Sequence, residues 1–189
     1  MTLTTLDPTV ALVVIDLQHG VVAIPAAHPV ADVVRRAADL AAAFRRAGQP
    51  VVLVNVTGGA PGRTDAGGTG QAQPARPEGW DVLVDELDAQ PGDHLVTKRT
   101  WGAFQGTSLD ADLRALGVTQ VVLAGVATSA GVESTARHAH ELGYHVVLVT
   151  DAMTDRSLDA HVGSVERVFP RIGETTTTSE LLEMLARDH

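Results

Sequence analysis

Residues 120–131, QVVLAGVATSAG, decide the architecture. Gln120 to Val126 carries no charge, and small and hydroxylated residues lead from it into the helical spacing of Gly131 to Leu142. A strand buried on both faces shows no polar alternation, so an uncharged run feeding an amphipathic helix reads as one unit of a parallel sheet. The same unit recurs on either side. Upstream, Val10 to Ile15 (VALVVI) is an apolar run closed by Asp16, and Pro29 to Ala47 places Val30, Val33, Val34, Ala37, Leu40, Ala41 and Phe44 on one helical side. Gly48 and Pro50 stop that helix, and Val51 to Val56 is the next run.

Further along, His94 to Lys98 (HLVTK) reads as a third strand behind a Pro91-Gly92-Asp93 turn, and Asp110 to Leu116 as a short helix. His145 to Thr150 (HVVLVT) is a fifth strand, followed by a helix over about Leu158 to Phe169. Thr177-x-x-Glu180 is a capping box opening a last helix, Leu181 to Arg187. The expected fold is α/β: a three-layer α/β/α sandwich, Rossmann-like, with a five- or six-stranded mostly parallel sheet. No internal repeat or linker divides the 189 residues, so one domain is expected over 1–189. Residues 57–79 break the pattern with a long Gly/Pro-rich segment placed after a strand end, where such sheets bind ligands.

Composition narrows the function. With 14 Lys+Arg against 23 Asp+Glu, a net charge of −9 and 3% aromatics, the chain has neither the basic patch nor the stacking platform of a nucleic-acid binder. It has no cysteine, which removes disulfides, thiolate metal sites and a cysteine nucleophile. No apolar stretch reaches the ~20 residues that span a bilayer, and the N-terminus lacks a basic signal region. The expectation is a cytoplasmic protein with a small-molecule partner, no nucleic acid and no membrane.

Three strand ends carry candidate chemistry. Asp16, Lys98 and the Gly125–Gly131 junction share one edge of a parallel sheet, so an acid, a base and a helix N-terminus can converge on one crevice. From pattern alone, Asp16 is equally a solvated strand-end carboxylate and Lys98 a surface lysine. Thr128 and Ser129 are candidate nucleophiles, with helix capping the commoner role for such residues at a junction of this kind. Arg63 is suited to gripping a carboxylate, or is a solvated loop residue. Asn55 either faces the crevice or bonds the loop backbone. Trp80 and Trp101 either wall a pocket or pack in the core, and Trp101 is the better candidate because it lies three residues after Lys98. GGTGQAQ lacks a Walker lysine and the dinucleotide spacing, so no nucleotide cofactor is expected. His138 and His140 point to different helix faces, and no metal is expected.

ALVVIDLQHG, KRTWGAFQGTSL and GVATSAGVESTARHAHELGYHVVLVTDAMTD together resemble the isochorismatase-like hydrolase superfamily, which includes nicotinamidases and other cysteine amidohydrolases. The resemblance runs from about Leu12 to Phe169. It implies a parallel sheet between helices, a homo-oligomer (dimer or higher), no cofactor, and catalysis centred on Asp16 and Lys98. It also implies a cis peptide between Val126 and Ala127, with backbone N–H groups of that turn facing substrate. Substrate would meet Asn55, Arg63, Trp101, Val126, Ala127, Ser129, Ala130 and Gly131. The amidohydrolase pattern is GVATxxCVEST, and here the position of the nucleophilic cysteine is Gly131. Isochorismatases of the family also carry glycine there but resemble GVYAHIGC, whereas this chain has GVATSAGV. Three functions follow: a cysteine-independent hydrolase of a small carboxylated molecule with Asp16 as general acid/base and Lys98 as electrostatic partner; isochorismatase proper, releasing pyruvate from a vinyl ether; or a binding protein without turnover.

Overall fold

In the computed structural model, residues 3–59, 62–65 and 76–188 are described. Six parallel strands are ordered β3-β2-β1-β4-β5-β6: β1 Val10–Ile15, β2 Val51–Val56, β3 His94–Lys98, β4 Gln120–Val126, β5 His145–Thr154 and β6 Glu174–Thr176. The helices are α1 His19–Val22, α2 Val30–Arg46, α3 Leu109–Ala115, α4 Glu133–Glu141, α5 Leu158–Gly163 and α6 Thr178–Asp188. Among the described residues no helix is long and apolar enough to cross a membrane.

The uncharged runs lie at the centre. Every residue of β1 and of β4 is buried, while β3, at the sheet edge, alternates buried and exposed positions at its end. Successive residues of β1 feed opposite cores: Leu12 and Val14 pack with Val33, Leu40 and Phe44 of α2 and Leu181 of α6, and Val13 and Ile15 with Leu109, Leu113 and Ala136 of α3 and α4. Strand order reverses between β1 and β4, and a doubly wound sheet opens a crevice at that switch point, beyond the carboxyl ends of the strands. Asp16 directly follows β1, and residues 127–131 directly follow β4.

The capping box forms as expected: Glu180 Oε2 accepts from the Thr177 N–H at 3.0 Å, and the Glu180 N–H donates to Thr177 Oγ1 at 3.4 Å. The last helix begins at Thr178, ahead of the expected Leu181, and α4 begins at Glu133 after a widened turn over Thr128–Val132, whereas the sequence reading opened it at Gly131; two other boundaries differ more. Strand β5 runs four residues past Thr150, because a register shift against β4 between Leu123 and Gly125 carries pairing on to Met153 and Thr154. The helix expected over Leu158 to Phe169 is regular only to Gly163, and then widens over Ser164–Val168 and tightens over Phe169–Arg171 before Gly173.

Gly125 is where the shift is accommodated. Its φ is +115°, and a Cβ there would lie 2.1 Å from the Ile15 carbonyl oxygen. Gly125→Ala must therefore push β1 from β4 and hold an L-residue at a disfavoured φ, at about 3 kcal/mol or more. Urea denaturation would check this, and a variant as stable as the parent would refute it.

Candidate active site

Asp16 leaves β1 in the left-handed region, φ +52°, a conformation that a short acidic side chain tolerates better than most. Its side chain and that of Lys98 meet in the crevice, both buried, with Lys98 Nζ 2.7 Å from Asp16 Oδ2. The ammonium also donates to the carbonyls of Thr100 at 3.2 Å and Trp101 at 2.8 Å. All three of its hydrogens are thereby engaged, so Lys98 acts on the site through Asp16 and through its charge. Asp16 Oδ1, by contrast, is buried and receives no bond from any described protein group. Burial pushes the Asp16 carboxyl up to about 6, against the opposing pull of Lys98 and, more weakly, Arg76. Desolvation thus outweighs the ion pair, which keeps both protonation states within reach near neutral pH.

Around this pair lies a cavity of ≈ 360 Å³, a size suited to a small molecule. Val126, Ala127, Ala130 and Gly131 form one wall, and the Val126–Ala127 peptide is cis, in agreement with what the resemblance implied. A Cβ at Gly131 would lie 3.3 Å from Asp16 Oδ2 and 3.0 Å from Ile15 Cγ2, so glycine leaves open the space next to the carboxylate. Val21, Ile24, Pro25 and Ala26 face the cavity from the segment around α1, and the exposed Trp101 stands at its rim.

Three expected residues lie elsewhere. Asn55 does not line the cavity: its amide donates to the Asp81 carbonyl at 2.8 Å and its oxygen accepts from Thr97 Oγ1 at 2.7 Å, which is the loop-bonding alternative. Arg63 is exposed and outside the lining. The guanidinium that does line the cavity is Arg76, held by the Gly58 carbonyl at 2.9 Å and stacked 3.8 Å above the Trp80 ring. Trp80 is itself fixed through its carbonyl, which accepts from the Gly20 N–H and from the Gln18 side chain. Ser129 is outside the lining as well, because its hydroxyl and N–H both donate to Asp155 Oδ2 at 2.8 Å. Asp155, at the end of β5, therefore caps the turn, a role that sequence reasoning gave to the turn's own hydroxyls. Thr128 is fully buried against His161, so neither hydroxyl is presented to the cavity as a nucleophile.

Sequence reasoning missed Arg76, Asp155 and Arg156, all of which line the cavity. The reach of β5 to Thr154 was the signal that would have placed the last two at a strand end. The GGTGQAQ stretch, and most of the long segment over 57–79, fall outside the described residues. Among the described residues no cluster of three or more His, Asp or Glu gathers as a metal site.

Known proteins share this fold. The isochorismatase domain matches residues 10–180. The isochorismatase family protein YwoC of Bacillus subtilis is 44% identical over 183 residues, covering 93% of each chain. The ureidoacrylate amidohydrolase RutB of Stutzerimonas stutzeri is 35% identical, over 75% of this chain and 68% of its own. An isochorismatase family protein from Burkholderia thailandensis superposes with a TM-score of 0.90 at 41% identity, over 96% of this chain and 98% of that one. The fold and the sequence thus define the class, a hydrolase built on a parallel sheet between helices. The chain belongs to the isochorismatase domain family.

Proposed function

We propose that this hydrolase cleaves a small, carboxylated molecule without forming a covalent enzyme intermediate, with Asp16 as general acid/base. The observation that carries the reading is the Asp16 carboxyl itself. Lys98 fixes Oδ2 while Oδ1 accepts from none of the described residues, and the neighbouring position 131 has no side chain to attack with. A group that titrates at about 6 is suited to moving a proton near neutral pH. As a base it would take a proton from water as the water oxygen attacks a carbonyl carbon, then return it to the leaving nitrogen or oxygen. Lys98 keeps Asp16 oriented and offsets its charge as the proton moves. Arg76 and Arg156, both on the lining, suit a carboxylate on the substrate.

A second reading is favoured by the raised carboxyl. Protonated Asp16 would give its proton to the methylene carbon of a vinyl ether, and water would then capture the oxocarbenium ion and release pyruvate. The test is pyruvate release from isochorismate beside a panel of amides that includes ureidoacrylate, with parent and Asp16→Asn in parallel. Asp16→Asn is expected to lose about 10²–10⁴-fold in kcat/KM. The pH profile separates the readings: kcat/KM rises with pH through about 6 if Asp16 works ionised, and falls through it if Asp16 works protonated. Either limb should be absent from the Asn variant. Saturable binding of panel compounds with no turnover would instead mark a binding protein.

A further inference from the structure

Two walls of the cavity are tied together behind its lining. On one side is the turn that carries Val126, Ala127 and Gly131, and its buried Thr128 meets His161 through Oγ1 and the ring Nδ1 at 2.9 Å. On the other are Ile24, Pro25 and Ala26, and two residues further on His28 is anchored to Thr154. The His28 N–H donates to Thr154 Oγ1 at 3.2 Å, and its ring Nδ1 lies 3.0 Å from the same oxygen. The rings of His28 and His161 then meet edge to face, 4.7 Å between centroids and inclined by 65°.

Neither histidine lines the cavity. An apolar pair would fill the same space without desolvating the buried His161 imidazole, so packing alone does not account for the two rings. What an apolar pair would lack is the bond from each ring to a threonine, one on the β4 turn and one at the end of β5. We propose that His28 and His161 are positioning residues, a brace that sets the spacing of the two walls and with it the place of Gly131 beside Asp16. The charged group that faces the brace is Asp155. Its carbonyl accepts from the Ala27 N–H at 2.7 Å and its carboxylate caps Ser129, so it links the same two segments by a second route. Burial, then the neighbouring His28, hold the His161 ring below its ordinary value while Asp155 pulls the other way. The ring is therefore neutral at neutral pH, with no charge to drive the two imidazoles apart.

The inference rests on the cavity being the substrate site, and the experiment separates the two ideas. His161→Leu removes the bond to Thr128, whereas His161→Asn replaces the ring with an amide whose polar atom falls near the position of Nδ1. With the substrate found in the panel, His161→Leu is expected to lower kcat about tenfold or more at little change in KM, and His161→Asn to restore most of the loss. A readout independent of turnover is the rate at which iodoacetamide alkylates the thiol of Gly131→Cys. That rate should change at least about threefold when His161→Leu is added and return with His161→Asn. If no substrate is found, the hydrolase reading fails and alkylation still decides the brace. Rates that match the parent in His161→Leu, or that are equally altered by Leu and Asn, overturn it. Should His161→Leu not fold, His28→Leu and His28→Asn make the same comparison at a half-buried position.

Discussion

Lys98→Met is expected to cost about 3–5 kcal/mol of folding stability at pH about 8, and much less at pH about 5. Methionine keeps the length and apolar stem of the side chain, so the loss isolates the ammonium. Without it the buried carboxylate of Asp16 has no counter-ion, and the carbonyls of Thr100 and Trp101 lose their donor. The sign with pH follows from the carboxyl. In the parent, burial already holds Asp16 at about 6 against an ordinary 3.8, and removing the main opposing charge raises it further. Between the ordinary and the raised value the folded state binds a proton that the unfolded state does not, so stability falls as pH rises across that interval and is flat above it. For the variant the interval extends past 6, so parent and variant diverge chiefly at and above that pH. Urea denaturation at the two pH values measures this. Equal losses at both would mean that the pair is held by hydrogen bonding without net charge.

Such an ion pair would be a poor device for stability alone, because desolvating both groups offsets most of their attraction. Its position explains it better. The pair sits at the switch point of the sheet, and the side chain that would complete a covalent triad in the resembling amidohydrolases is absent at Gly131. What remains is a carboxyl with an adjustable proton, supported on one oxygen by Lys98 and, among the described residues, without a donor on the other.

Topology placed Asp16, Lys98 and the Gly125–Gly131 junction on one edge: once the apolar runs are strands of one parallel sheet, their carboxyl ends share it. It left Asp16 and Lys98 equally readable as solvated residues, and the family resemblance singled them out together with the Val126–Ala127 turn. Arg76 was not, because position within an aperiodic Gly/Pro-rich segment carries no information about direction. What places its guanidinium is the stack on Trp80 and the bond to the Gly58 carbonyl, neither of which follows from spacing. Asn55 misled because strand alternation tells which face a side chain leaves from, and not that Asp81 of a later loop would bond it. Ser129 misled because capping was sought within the turn, whereas Asp155 reaches it from a strand whose last four residues depend on a register shift. The His28–His161 contact joins residues 133 positions apart, each ring bonded to its own threonine, and leaves no trace in either local pattern.

Gly131→Cys is expected to create a reactive thiol. The Cβ position is 3.0 Å from Ile15 Cγ2 and 3.3 Å from both Asp16 Oδ2 and the Val126 carbonyl, so the Ile15 side chain, the carboxylate and the turn backbone must each yield by a few tenths of an ångström. A thiol there stands next to a carboxylate able to accept its proton, with the Lys98 ammonium behind that carboxylate to favour the thiolate. The sulfur would follow Ala130 in the turn that opens α4, whose N–H groups favour negative charge. The variant should be alkylated by iodoacetamide about a hundredfold faster than Gly131→Cys combined with Asp16→Asn, since general base assistance is worth about 10²–10⁴. It should also show a burst of product from an activated ester or amide, as an acyl-thiol intermediate accumulates. Equal alkylation rates with and without the Asp16 carboxylate would show that Asp16 does not act as a base toward position 131. Fast alkylation without a burst would show that the thiol is activated while the cavity fails to hold a carbonyl group in line with it.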